Sequence, residues 1–211
     1  DLPVYQLNNK GYRYYYRYDE QGEPQFFPSV TTILAQTMPE PIFLKQWRDK
    51  MGAEQADRYR DERAAYGTFM HGFFGELLIN RTIDLDSVQD KLKVYIEQKQ
   101  LPVDFIFYAD DLKKDVLAFA QWVADYDVRP LAIEIALVSE QKRYAGMIDL
   151  VCTLNEKDGR KTAIVDFKSG RNGFSEEHEL QLHLYRDMWQ ANFPQHPIEK
   201  VFNFSPKDWR K

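Results

Sequence analysis

The sequence predicts an α/β fold, a mixed central sheet flanked by helices, with a helical insertion ahead of the main strands. Three observations predict it. Residues 144–154 and 162–168 are short, mostly apolar runs joined by the polar segment Asn155-Glu156-Lys157-Asp158-Gly159-Arg160, as in paired strands. Residues 84–127 instead carry apolar side chains three and four apart, the helical period. Leu131–Val138 and Glu199–Ser205 add two further strand-like runs, the second expected at the edge of the sheet. With 211 residues the chain is long enough for one domain with a substantial core, so 1–211 is read as one domain and 80–130 as its insertion.

Taken in order, Tyr12-Arg13-Tyr14-Tyr15-Tyr16-Arg17-Tyr18 is aromatic and strand-like. A turn at Asp19–Pro24 leads from it to a short strand at Gln25-Phe26-Phe27, giving an N-terminal hairpin. Covering the core is the plainer role for this hairpin; a stacking surface for bases, with Arg13 and Arg17 on phosphate, is the functional one. Ser29 suits a helix N-cap before Val30. Pro41 fits the first turn of a helix containing Phe43, Leu44 and Trp47. Lys45, Arg48, Lys50, Arg58, Arg60 and Arg63 are interleaved with Asp49, Glu54, Asp57, Asp61 and Glu62, which favours a solvated face of ion pairs over a DNA-tracking strip.

A helix is expected over about Ala64–Ile79. Gly67, His71 and Gly75 fall on one line of it, and Gly72 adds a third glycine. Glycine in a helix costs about 1 kcal/mol relative to alanine, so a close approach by backbone or ligand is expected in return. Glu76 lies off the His71 line and is a weaker candidate. Val88, Leu92, Tyr95, Ile96 and Lys99 mark one inserted helix, and Leu112, Val116, Phe119, Val123 and Tyr126 another, with Pro102 between. Glu134 stands inside an apolar strand, where an isolated carboxylate is costly, so it is expected to meet a metal or a core base. Ser169–Phe174 reads as a loop in which Arg171 can meet a phosphate. Ser175 caps the last long helix, whose Glu176 and Glu177 suit its positive end. On that helix Gln181, Tyr185 and Trp189 share one line.

Composition narrows the function. The hydrophobic share of 44% and charged share of 29% fit a soluble globular chain, and no apolar run approaches the ~20 residues of a membrane span. The net charge of −5 does not advertise a nucleic-acid binder, although carboxylates offset by metal leave room for one. Cys152, the only cysteine, excludes an internal disulfide and a four-cysteine iron–sulphur cluster, and favours a reducing compartment. The expected location is the cytoplasm of a bacterial or phage-infected cell; a targeting segment upstream of Asp1 stays open. No phosphate-binding G-x-x-x-x-G-K-[ST] loop is present, so no ATP is expected.

The chemistry centres on Asp149 and on Asp166-Phe167-Lys168. Strand side chains repeat every two residues, so Asp166 and Lys168 share a face, and a hairpin brings Asp149 beside them. Two carboxylates and an ammonium suit Mg²⁺-assisted phosphodiester chemistry, since Mg²⁺ takes hard oxygen ligands. The plain alternative is an exposed ion pair worth about 0–1 kcal/mol. The apolar neighbours Ile148, Leu150, Val151, Ile164 and Val165 argue instead for burial.

Gly146-x-x-Asp149, Asp166-x-Lys168 and Gln181-x-x-x-Tyr185 together resemble the PD-(D/E)XK nuclease superfamily, with most likeness to its RecB-type branch of phage and mitochondrial single-strand exonucleases. Upstream, Gly67-Thr68-Phe69-Met70-His71 is similar to the G-T-x-x-H helix of that branch, and Pro28–Leu34 to the opening of phage members. Ile148 stands where many members have proline. The resemblance implies a restriction-endonuclease-like core and a Mg²⁺- or Mn²⁺-dependent deoxyribonuclease, an exonuclease acting on DNA ends with single-strand preference. It implies Asp149, Asp166 and Lys168 as catalytic, with His71, Asp149, Asp166 and Phe167 at the metal. Gln181, Tyr185 and Glu134 would support these residues or contact DNA. A catalytically silent DNA-binding module, or a recombination or replication partner docking through the insertion, are the alternatives.

Overall fold

The computed structural model describes residues 3–170 and 175–209. Arg171 through Phe174, part of the expected loop, lie outside the described residues. The chain forms two compact units, each discontinuous in sequence: 1–39, 129–166 and 173–203 make the first, and 40–128, 167–172 and 204–211 the second.

In the first unit, β1 (Tyr5–Asn9), β2 (Tyr12–Tyr18) and β3 (Pro24–Pro28) form an antiparallel sheet in that order. The expected hairpin is present, and β1 extends it. Alternation divides β2: Tyr16 lies between Tyr5 and Phe26 on one face, with Tyr5 stacked on Tyr16 at 5.2 Å. On the other face Tyr15 pairs with Phe27, and both are buried against Val138 and Ala145. The arginines alternate with the outer tyrosines: the Arg17 guanidinium bonds Glu140, which favours the covering role for this hairpin. Ser29 caps α1 (Val30–Thr37) by accepting from the Thr32 N–H at 3.0 Å, and Thr32 Oγ1 in turn bonds both backbone groups of Arg13.

β4 (Arg129–Ser139), β5 (Tyr144–Glu156), β6 (Gly159–Phe167) and β7 (Lys200–Phe204) form the second sheet in that order. β4–β5 and β5–β6 are antiparallel. The bonds Glu199 N–H to Thr162 O and Lys168 N–H to Phe204 O advance together along β6 and β7, so these two run parallel and the sheet is mixed, as the sequence predicts. The β5–β6 turn is tighter than expected. Glu156 pairs with Gly159, leaving only Lys157-Asp158 between the strands, and Gly159 takes φ +121°, a value that a side chain resists. α6 (Glu176–Asn192) begins at a reciprocal cap, in which Ser175 Oγ accepts from His178 N–H and His178 Nδ1 accepts from Ser175 N–H. It packs Leu182, Tyr185, Met188 and Trp189 into the core containing Ile148, Val151 and Ile164.

The second unit is helical. α2 (Ile42–Met51) starts after Pro41, which occupies the N-cap rather than the first turn. α3 runs Ala53–Asn80, eleven residues earlier than the expected start at Ala64, because its charged first half carries no apolar stripe to mark it. The ion-pair reading of the basic residues holds there: Arg48 pairs with Glu40, Arg58 with Glu62, and Arg60 with Asp57 and Asp61. α4 (Val88–Lys99) and α5 (Ala109–Asp125) are the two inserted helices, joined by a 3₁₀ turn at Val103–Tyr108. Phe74 and Phe119 stack at 3.9 Å, with Phe167 and Phe204 edge-on, to form this unit's aromatic centre, and α7 (Pro206–Trp209) ends it. Among the described residues no helix is long and apolar enough to cross a membrane.

Candidate functional site

The β5–β6 ladder ends at the pair Leu150–Val165, and Asp149 and Asp166 are the next residues of the two strands beyond it. The paired strands carry both carboxylates to the same end of the hairpin, and both charges are felt at the Tyr185 hydroxyl. Asp166 is only 4% exposed.

From α6, Tyr185 and Gln181 reach the same place. Gln181 Nε2 donates to the Tyr185 hydroxyl at 3.0 Å, and both side chains are buried. Burial pushes the Tyr185 hydroxyl well above its ordinary pKa; the negative charges of Asp166 and Asp149 add to this, and the Gln181 hydrogen bond opposes it. A tyrosine that senses both carboxylates and stays protonated is a hydrogen-bond donor beside them. Gly146 explains how α6 comes so close: a Cβ there would meet Tyr185 Cε1 at 2.8 Å, inside van der Waals contact.

Tyr15 escaped the sequence reading. Ala145 and Met147 alternate onto one face of β5, and Tyr15 packs against both. Burial raises the Tyr15 pKa, Arg13 opposes the shift, and Asp149 adds to it. The signal was present in the alternation of residues 12–18, but aromatic rings at 14, 15 and 16 alike hid which face was covered.

The second unit carries His71, Phe167 and Lys168. His71 projects from α3 and its Nε2 lies 3.1 Å from the Phe167 carbonyl oxygen, with the rings edge to face at 5.5 Å. A carbonyl only accepts, so Nε2 carries the hydrogen in this arrangement; Nε2 would have to give up that bond to ligate a cation, whereas Nδ1 would not. Lys168 is held by its backbone N–H on Phe204 O at 2.9 Å. The two residues after it are clamped. Arg63 donates to Ser169 O at 2.8 Å, the Ser205 hydroxyl donates to Gly170 O, and a Cβ on Gly67 would touch Ser169 Oγ at 3.6 Å. The close approach expected of the helical glycines is thus made by a loop at Gly67.

Glu134 departs from expectation. It is exposed, so the burial cost that singled it out is absent. Its φ of +49° turns it out of β4 at the place opposite Asp149, between the pairs Ile133–Leu150 and Ile135–Ile148. Glu76, the weaker candidate, bonds Lys91 at 2.8 Å.

Among the described residues no three His, Cys, Asp or Glu side chains gather tightly enough to hold a metal ion by themselves. The donor chemistry still fits a hard divalent cation. Mg²⁺ is commonly held by one or two carboxylates, with water and substrate phosphate completing its shell, and Asp149 and Asp166 supply that pair.

The family model of the PD-(D/E)XK nuclease superfamily matches residues 44–208. No curated protein gives a significant match. Because the match spans well over half of the chain and takes in the β5–β6 hairpin, both carboxylates and the lysine beyond them, the chain belongs to the PD-(D/E)XK nuclease superfamily.

Proposed function

We propose that this protein is a divalent-cation-dependent deoxyribonuclease that hydrolyses phosphodiester bonds from DNA ends and prefers single strands. The observation that carries the reading is the placement of Asp149 and Asp166 just beyond the last pair of the β5–β6 ladder, with both charges felt at Tyr185. Two carboxylates carried to one end of a hairpin are hard oxygen donors of the kind that a divalent cation takes.

In this reading Asp149 and Asp166 hold Mg²⁺ or Mn²⁺, and the Phe167 carbonyl and His71 assist. The bound cation supplies positive charge to the phosphate and makes water more acidic. Lys168 orients the attacking water and offsets charge on the phosphate as the bond breaks. Gln181 and Tyr185 hold the carboxylates in place and offer a donor to the DNA. The preference for ends and single strands is supported by the likeness of the Gly67–His71 and Gln181–Tyr185 segments to the RecB-type branch.

The test uses end-labelled linear and circular DNA, single- and double-stranded, each with Mg²⁺, Mn²⁺ or EDTA. The reading expects cation-dependent loss of label from linear single strands, while circles survive. Cleaved circles would make it an endonuclease, and tight binding without cleavage in every cation would make it a silent binding module.

A further inference from the structure

Tyr15 lies outside the residues 44–208 that match the family, on a strand of the N-terminal sheet. It is 1% exposed, and its hydroxyl has no hydrogen-bond partner in the structure. Buried hydroxyls are nearly always paired, because leaving one unpaired costs about 1–3 kcal/mol. The neighbours explain why none is found. The Arg13 guanidinium lies beside the Tyr15 oxygen, but guanidinium only donates and gives the O–H hydrogen nothing to bond. Asp149, further along β5, is felt at the hydroxyl as a charge and does not bond it. Phe27 and Ala145 fill the remaining side with carbon. A buried O–H therefore lies within reach of the charge of Asp149 with its hydrogen available.

We propose that Tyr15 is a positioning residue of the carboxylate pair, its hydroxyl donating to an oxygen that arrives at Asp149 with the cation. This rests on the function proposed above and adds to it a residue from outside the matched region. The oxygen belongs either to water or to a phosphate. Groups that hold a metal's surroundings without touching the ion typically set its affinity within 10–100-fold.

The experiment is titration calorimetry of the whole chain and of Tyr15→Phe, with thermal melting of both. One arm adds Mn²⁺ alone; the other adds thymidine 5′-monophosphate in saturating Mn²⁺. Removing an unpaired hydroxyl while keeping the ring leaves the melting temperature unchanged or higher, and lowers affinity about tenfold in at least one arm. Loss in the Mn²⁺ arm identifies water as the acceptor; loss only with the nucleotide identifies the phosphate. Equal affinities in both arms overturn the proposal, as does a drop in melting temperature or a failure to fold, since either shows the hydroxyl has a structural partner. Asp166→Ala separates the two levels of argument. If the whole chain binds Mn²⁺ and Asp166→Ala does not, equal binding by Tyr15→Phe sinks only the role of Tyr15. If the whole chain binds no Mn²⁺, the nuclease reading falls with it.

Discussion

Asp149 and Asp166 each lie one residue beyond Leu150–Val165, the last pair of the antiparallel β5–β6 ladder, and both charges are felt at Tyr185. Two carboxylates at one end of a hairpin repel, and Asp166, at 4% exposure, is poorly screened by water. Folding stability and function therefore pull in opposite directions at this point.

That opposition gives the first prediction. Asp166→Asn removes the repulsion, so the metal-free variant melts at a temperature equal to or above that of the unaltered chain. Its cleavage falls by at least about a thousandfold, as does that of Lys168→Ala, where removed groups stabilise charge in the transition state. Millimolar Mg²⁺ raises the melting temperature of the unaltered chain through linkage and leaves Asp166→Asn unmoved. Retention of full cleavage by either purified, folded variant would remove these residues from the chemistry.

The second prediction concerns Gly146. With alanine there, Cβ lies 2.8 Å from Tyr185 Cε1, and the ring cannot simply swing aside because Gln181 bonds its hydroxyl within the packed core. Overpacking of this kind costs about 1–3 kcal/mol. Gly146→Ala is expected to lower the unfolding free energy by that amount, seen as a lower denaturant midpoint, and to lower cleavage as Tyr185 is displaced. A neutral midpoint would show that α6 can move away at little cost.

How much of this was legible in the sequence depended on whether the signal was local. The β5–β6 hairpin and the caps at Ser29 and Ser175 were readable because each follows from alternation or from one side chain bonding the next turn. β1 was not, since Gln6, Asn8 and Asn9 have little intrinsic strand preference and the segment is extended through its pairing with β2. The first half of α3 was hidden for a related reason: its surface is charged on every side, and ion pairs such as Arg58–Glu62 replace the apolar stripe. Asp149 could be assigned from its motif, whereas Tyr15 could be assigned only once the face of β2 turned towards β5 was known.

Glu134 yields the third prediction. Its φ of +49° is a left-handed backbone inside a strand, which costs a residue with a Cβ roughly 1–2 kcal/mol and glycine almost nothing. Because Glu134 is exposed, no packing is lost on truncation. Glu134→Gly is expected to be neutral or stabilising by up to about 1 kcal/mol, and Glu134→Val destabilising, both measured by urea unfolding. The reverse order would mean that the carboxylate itself holds the turn in β4.

The fourth prediction concerns alkaline pH. Burial pushes the Cys152 thiol up to about 12, with Arg160 opposing, and the Tyr144 hydroxyl up to about 12, with Asp187 adding to the shift and Ser139 opposing it. For both groups the folded pKa lies above the unfolded one, so the folded state keeps its proton while the unfolded chain releases it. Their contribution is fully present below about pH 9 and is lost as pH rises towards 12. Across that window each such proton lowers stability by up to about 1.4 kcal/mol per pH unit. Thermal melts between pH 8 and 11 therefore show a falling limb, shallower above pH 10 for Tyr144→Phe, although that variant also lacks the hydrogen bond to Leu184 O and starts lower. The same burial makes the Cys152 thiol inert at neutral pH, because the thiolate is the reactive form. Its modification by a disulfide reagent at pH 8 is expected to proceed no faster than the chain unfolds; rapid labelling of the folded protein would show that β5 opens to solvent at Cys152.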